Sequence, residues 1–228
     1  HMSNVLGTVT PVRAVVELAH AQGVPVLVDG SQASVHMTVD VQALGCDYYV
    51  FTGHKMYGPT GIGILYGRAE ALDRLRPFNG GGEMISEVTE EFVTYNAPPH
   101  RFEAGTPPIV QAIGLGAALD YVEGVGRERI AAHEAELGAY AQERLSAVNS
   151  LRIYGTAPGK GAILSFEMQN AHAHDVATII DRVKTLEAGL RYGVVGQDLF
   201  DASIALAYTR WNDIQADVVD FGGFPTTS

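Results

Sequence analysis

Lys55 closes an apolar strand in the run Val50-Phe51-Thr52-Gly53-His54-Lys55-Met56-Tyr57-Gly58-Pro59, beside a histidine and between glycines. A lysine so placed can attack a carbonyl, because an amine in a partly desolvated pocket near other positive charge is a usable nucleophile at neutral pH. Asp29 leaves the preceding apolar strand in Leu27-Val28-Asp29-Gly30-Ser31-Gln32. A carboxylate there can hold a ring nitrogen in its protonated form. A carbonyl-attacking amine and a ring-protonating acid are the two groups a pyridoxal phosphate (PLP) site requires.

Such groups need a frame. Residues 11–22 open on Pro11 at a first-turn position, carry Val12, Val15, Val16, Leu18 and Ala19, and read as a helix closed by Gly23. Val24 to Val28 is then a fully apolar strand, and Asp47 to Thr52 and Gly61 to Tyr66 are two more. Their continuity predicts an α/β arrangement with the sheet covered on both faces. Ligands in such sheets bind just beyond the strand carboxyl ends, where Asp29 and Lys55 fall. Residues 77–109, with Gly80-Gly81-Gly82 and the prolines Pro98, Pro99, Pro107 and Pro108, predict a long irregular connection. Val110 to Val122 and Arg127 to Val148 show helical periodicity, the second as a bridge to another domain. Leu151 to Tyr154 and Ala162 to Glu167 read as strands of a small α+β domain, followed by a helix capped by Asp175 and running to Ile180.

Several strings carry a resemblance: His1-Met2-Ser3-Asn4-Val5-Leu6-Gly7-Thr8, Val28-Asp29-Gly30-Ser31-Gln32-Ala33, Thr52-Gly53-His54-Lys55-Met56-Tyr57-Gly58-Pro59-Thr60-Gly61-Ile62-Gly63, Gly80-Gly81-Gly82-Glu83-Met84-Ile85 and Arg101-Phe102-Glu103-Ala104-Gly105-Thr106-Pro107. From His1 to about Asp181 the chain resembles the SufS-like cysteine desulfurases and selenocysteine lyases, PLP enzymes of the class V aminotransferase type. The resemblance implies part of a fold type I large domain, a mixed, mostly parallel sheet with flanking helices, over residues 1–122. A linking helix and small C-terminal domain follow over 123–228, divergent from residue 182.

Roles follow residue by residue from the resemblance. Lys55 matches the lysine that binds PLP covalently and then shuttles a proton at the substrate's α-carbon. Asp29 matches the carboxylate on the pyridinium nitrogen, Gln32 and Asn4 the amides around the phenolic oxygen, and Thr52 and His54 the phosphate ligands. Thr106 matches a residue that reaches the phosphate of the neighbouring subunit's cofactor, which implies a homodimer. The implied reaction turns L-cysteine, or L-selenocysteine, into L-alanine and passes sulfur to an acceptor protein for iron–sulfur cluster supply. The Gly80-Gly81-Gly82 run becomes a loop near the site entrance.

The tail departs from that pattern. In Ala188-Gly189-Leu190-Arg191-Tyr192-Gly193-Val194-Val195-Gly196-Gln197-Asp198-Leu199-Phe200-Asp201-Ala202-Ser203, Arg191 matches an arginine and gives a candidate substrate-binding residue. Gly196 stands near the place of the family's sulfur-accepting cysteine and Asp201 near that of its carboxylate-binding arginine. The family's phosphate-gripping turn and ring-stacking histidine would lie upstream of His1. The expectation is a chain that carries one wall of the site, is incomplete, and is weakly active or inactive by itself. Two alternatives stay open: a class V aminotransferase or lyase that needs no catalytic cysteine, and an inactive PLP-fold chain that serves as a binding or dimerisation partner.

Composition excludes other classes. Fifteen basic against 26 acidic residues give a net charge of −11, and no cluster of Lys and Arg exists to neutralise phosphates, so no nucleic-acid partner is expected. No apolar run approaches the ~20 residues that span a bilayer, and no charged segment followed by an apolar one opens the chain, so a cytoplasmic protein without membrane contact is expected. The single cysteine, Cys46, rules out an internal disulfide and reads as a small buried hydrophobe. His20, His36, His100, His133, His172 and His174 lack partners at ligand spacing, so no metal is expected, and His172-Ala173-His174-Asp175 reads as a helix start.

Overall fold

The computed structural model describes residues 1–177. In chain order its elements are α1 (Val12–His20), β1 (Leu27–Asp29), α2 (Ala33–His36), α3 (Val41–Leu44), β2 (Tyr48–Thr52), a 3-10 turn (Gly53–Met56), β3 (Gly63–Gly67) and α4 (Ala69–Arg74). There follow β4 (Ile85–Val88), β5 (Val93–Tyr95), a 3-10 turn (His100–Phe102), α5 (Ile109–Val125), α6 (Arg127–Ser146), β6 (Leu151–Tyr154) and β7 (Ser165–Met168).

Three strands form the central sheet in the order β1-β2-β3. β1 and β2 are parallel, with Val28 opposite Tyr49 and Asp29 opposite Val50, while β3 returns antiparallel and sets Gly63 opposite Thr52. Parallel pairing brings the carboxyl ends of β1 and β2 to the same edge. β2 then runs two residues past the level of Asp29, about 6–7 Å at the strand rise.

Side chains alternate across a strand, so Val28, Tyr49, Phe51 and Tyr66 share one face. That face packs on Val12 and Val16, one turn apart on α1, and on Val41 and Leu44 of α3, with Cys46 between. Asp47 ties the layers together: its carboxylate accepts from the Val26 N–H at 2.7 Å and bonds His20 Nε2 at 2.8 Å. Among the described residues the opposite face is covered only at one end, where Tyr48 donates to the Ala71 carbonyl of α4 at 2.9 Å and Leu72 lies against Gly67, short of the two-sided burial that the apolar strands predict. Leu27 is 58% exposed there and Leu65 48%. Apolar continuity makes a strand able to be buried on both sides; what lies over it is a tertiary matter.

Local differences have local causes. The backbone N–H groups of Asp47 and Tyr48 both donate to the Val26 carbonyl, so the ladder begins at Leu27 rather than Val24. Pro11 is the residue before α1, which ends at His20. Residues 77–109 hold the antiparallel hairpin β4–β5, where Thr89 Oγ1 accepts the N–H groups of Glu91 and Phe92 to close the turn. Its strands are short and largely solvent-exposed, which hid them from a reading based on apolar runs. β7 is displaced to Ser165–Met168 and pairs antiparallel with β6. Asp175 does not cap: the His174 N–H donates to His172 Nδ1 and the Asp175 N–H to the His172 carbonyl, so His172 holds the cap and Asp175 lies inside the first turn. Ile180, where that helix was expected to end, is outside the described residues.

Gly30 is fixed by close approach. A Cβ there would fall 1.9–2.0 Å from the Tyr49 ring, so the turn leaving β1 can cross that ring only as glycine. Gly30→Ala is expected to lower stability by about 1–3 kcal/mol, the usual cost of overpacking. Urea unfolding checks this, and a change below about 0.5 kcal/mol would show that the ring moves aside freely.

Candidate functional site

The end of β1 turns sharply. The Gly30 N–H donates to the Val50 carbonyl at 2.8 Å, and the Ser31 N–H folds back on Asp29 Oδ1 at 2.8 Å. These bonds from the Ser31 backbone and its hydroxyl hold the Asp29 carboxyl below the usual carboxylate range against a smaller desolvation penalty, with the Lys55 ammonium adding to the effect. Asp29 is therefore a carboxylate at neutral pH. Gln32 follows at the entry to α2, aimed across the gap at β2.

The end of β2 tightens into the 3-10 turn that carries His54 and Lys55. The Gly53 N–H donates to the Ile62 carbonyl at 2.9 Å, and the Gly58 N–H returns to the Gly53 carbonyl at 3.0 Å. A Cβ on Gly53 would meet Ile62 Cγ2 at 2.7 Å, so the turn packs directly on the loop before β3. Met56, 2% exposed, anchors the turn from inside, and Tyr57 leaves it at φ 60°, an uncommon conformation for a non-glycine residue. With Gly53 and Met56 inward, His54 and Lys55 face the strand ends.

Two contacts organise the polar groups. Lys55 Nζ donates to Gln32 Oε1 at 3.0 Å, joining the β1 and β2 ends through their side chains. Thr52 Oγ1 and His54 Nδ1 lie 2.8 Å apart. One proton is shared between them, so whichever group donates it, the pair still presents a donor outward, as an anion such as phosphate requires. Five of the residues singled out from sequence, Asp29, Gln32, Thr52, His54 and Lys55, thus gather at one sheet edge.

The others sit on separate segments. Asn4 is exposed in a short turn whose Val5 and Leu6 N–H groups bond Ser3 Oγ at 3.2 and 3.1 Å. That turn is held to the β6–β7 unit, through Ser165 Oγ donating to the Val5 carbonyl and the Gly161 N–H donating to the Gly7 carbonyl. Thr106 is exposed before α5, after Gly105, whose N–H donates to the Gly82 carbonyl at 3.0 Å. The Gly80-Gly81-Gly82 run therefore lies against the Thr106 segment, and no hydrogen bond joins Asn4 or Thr106 to Lys55. Arg191, Gly196 and Asp201 lie outside the described residues.

Two residues at the site escaped the sequence. His36 bonds Gln32 at 3.2 Å through Nε2, and its Nδ1 lies 3.0 Å from both carboxylate oxygens of Glu134 on α6. The i,i+4 spacing of Gln32 and His36 was a usable signal. Glu134, 98 residues further on, gave none. Cys46 is fully buried, and its thiol is pushed up by burial, as befits a packing residue.

The family profile described as Aminotransferase class-V matches residues 1–193. A probable cysteine desulfurase of Xylella fastidiosa (strain 9a5c) is 51% identical over 181 residues, 79% of this chain and 44% of the relative. A cysteine desulfurase of Klebsiella pneumoniae (strain 342) is 54% identical over the same shares. Among solved structures, the cysteine desulfurase CsdA of Escherichia coli, in its S-sulfonic acid form, superposes with a TM-score of 0.76 at 36% identity, over 79% of this chain and 45% of that one. A lysine-to-alanine mutant of C-DES with glycine covalently linked to its PLP cofactor gives 0.67 at 26% identity, over 75% and 46%. The fold is α/β, of PLP fold type I. The chain belongs to the class V aminotransferase family, and it spans slightly under half the length of the relatives it matches.

Because Asp29 is depressed in the folded state, the unfolded chain binds its proton more readily. The stabilisation is complete above the ordinary carboxylate value of about 4 and is lost as pH falls through the lower folded value. Carbon-detected titration of Asp29 is expected to report a midpoint below about 4, and Asp29→Asn to flatten the acid limb of the stability curve. A midpoint at or above 4 would show that the Ser31 bonds do not favour the charged form.

Proposed function

We propose that this chain carries the lysine-bearing wall of a PLP-dependent cysteine desulfurase. The observation that supports it most is the contact of Lys55 Nζ with Gln32 Oε1 at a sheet edge where Asp29 stays ionised. The donor set fits the cofactor's functional groups: an amine for its carbonyl, a carboxylate for its ring nitrogen, and a hydroxyl–imidazole pair for its phosphate. When bound, PLP supplies an electron sink that makes the bonds at a substrate's α-carbon labile.

The chain's residues do the rest. Lys55 is the point of covalent attachment and, once freed by substrate, the base that moves a proton at the α-carbon. Asp29 keeps the ring nitrogen protonated through a charge-assisted bond. Thr52 and His54 donate to the phosphate, Gln32 and Asn4 turn their amides to the phenolic oxygen, and Arg191 is assigned to the substrate carboxylate. Thr106 serves the neighbouring subunit's phosphate in a homodimer. The substrate is L-cysteine, or L-selenocysteine, and the sulfur passes to an acceptor protein. Residues 1–122 form the cofactor-binding part and 123–228 the linking helix and small domain.

A cytoplasmic site accords with the buried free thiol of Cys46. No helix among the described residues is long and apolar enough to cross a membrane.

Gly196 favours a second reading. A glycine where the family sets its sulfur-accepting thiolate suits a class V lyase or aminotransferase that needs no catalytic cysteine. One neighbour at 26% identity and a TM-score of 0.69 is the cystine C-S lyase C-DES in complex with its product cysteine persulfide.

Borohydride reduction after PLP loading, followed by peptide mapping, is expected to place a pyridoxyl group on Lys55, and Lys55→Ala to abolish it. A label on Lys160 or Lys184 instead would overturn the assignment. Asp29→Ala should weaken PLP retention at least tenfold, the worth of one charge-assisted bond of about 1.5–3 kcal/mol. Sulfide release from L-cysteine is expected near the rate of free PLP, because losing a preorganised reacting group commonly costs on the order of 10²–10⁴ in rate. Lys55-dependent turnover well above that background would show that Gly196 does not limit the reaction, and C–S cleavage of cystine without alanine formation would select the lyase.

A further inference from the structure

Lys55 is the first member of a chain of contacts that leaves the sheet edge. Its Nζ donates to Gln32 Oε1 at 3.0 Å; Gln32 Nε2 lies 3.2 Å from His36 Nε2; and His36 Nδ1 sits 3.0 Å from each oxygen of the Glu134 carboxylate. Three elements contribute: the 3-10 turn after β2, the start and end of α2, and the middle of α6. His36 and Glu134 are each 23% exposed at the side chain, so the pair is largely withdrawn from competing water. A second bond, from Arg127 Nη1 to the Ser34 carbonyl at 3.2 Å, seats α6 on α2 beside it.

Donor and acceptor chemistry gives this chain a direction. An ammonium has only donors, so Gln32 must offer Lys55 its oxygen and turn its NH₂ towards His36. His36 Nε2 must then accept, which leaves the imidazole proton on Nδ1, facing a carboxylate that has only acceptors. Each assignment forces the next, and Glu134 fixes the far end. With His36 protonated, both ring nitrogens would donate; Gln32 would have to turn its oxygen to His36 and its NH₂ to Lys55, an arrangement that suits only an uncharged Lys55 nitrogen. The proton on His36 and the charge on Lys55 are thereby exclusive neighbours through one amide.

We propose that the Glu134–His36 pair is a positioning device that fixes the orientation of the Gln32 amide, and through it the hydrogen bonding available to Lys55. The proposal rests on Lys55 as the reacting amine of the site. Neither His36 nor Glu134 touches the reacting atoms; they act through Gln32. The groups facing His36 are Gln32 from its own helix, Glu134 and the nearby Arg127 from α6, and Lys55 through the amide. Tyr57 lies close to Glu134 as well, for partial burial first and that carboxylate next push its phenol up. Because α6 also leads into β6, the orientation of the amide depends on how the bridging helix is seated.

The test reads the imidazole directly, on the whole chain without cofactor. Histidine labelled with ¹⁵N is incorporated, His36 is assigned by the signal missing in His36→Asn, and its tautomer is read from two-bond couplings at a pH where the ring is neutral. The expected wild-type state is the Nδ1–H tautomer, the reverse of the preference of free histidine. Glu134→Ala should lose it, while Glu134→Gln and Lys55→Met should both retain it, the first because an oxygen acceptor remains and the second because the Glu134 carboxylate still faces Nδ1. A wild-type Nε2–H tautomer, or a His36 signal indifferent to Glu134→Ala, overturns the proposal. The pyridoxyl label reports separately: relay behaviour without a label on Lys55 sinks the cofactor reading alone, and a label on Lys55 without relay behaviour sinks the positioning role alone.

Discussion

The parallel pairing of β1 with β2 is the constraint on which the rest depends. An antiparallel pair would send Asp29 and Lys55 to opposite edges of the sheet; the parallel register, with Asp29 opposite Val50, delivers both to one edge. That register is held by the face it buries. Val28 and Tyr49 lie opposite each other over Val12 and Val16, and a slip of one residue would turn Leu27 and Tyr48 into the core instead. Tyr49 has a second task, since its ring is what Gly30 passes over. The packing that fixes register therefore also shapes the turn that presents Asp29 and Gln32.

Electrostatics at that edge is asymmetric by construction. Asp29 is surrounded by donors, from the Ser31 N–H and hydroxyl to the Lys55 ammonium, and stays ionised where a bare carboxylate near an apolar sheet would tend to take up a proton. Thr52 and His54 satisfy one another until an anion arrives. Such pairing keeps the polar groups oriented without fixing them so firmly that a ligand could not enter. The strain of Tyr57 at φ 60° adjoins the same turn, as strained backbone at functional sites commonly does.

The site also reaches beyond the sheet. Glu134 on α6 meets His36 on α2, and the Asn4 turn is fastened to β6–β7 through Val5 and Gly7. Groups that the family reading assigns to one cofactor are therefore tied, at two separate points, to the segments that follow α5. Among the described residues, Leu27 and Leu65 on one sheet face and Val110 and Ile113 on α5 are left exposed.

Much of the site was legible in the order of residues. Asp29 and Lys55 end apolar strands, and chemistry at strand ends is a local property: a run of Val, Leu and Phe must extend, and the first polar residues after it must lie at its edge. Gln32, Thr52 and His54 came with them because each sits within three residues of an anchor. The hairpin in residues 77–109 was hidden because its strands bury little, so no apolar pattern marked them. Only the tertiary structure decided which face of the sheet is covered, that the Asn4 turn is fastened to β6–β7, and that His36 is held by Glu134. Those outcomes depend on contacts between residues dozens of positions apart, set by packing and loop paths that leave no periodic trace in the chain.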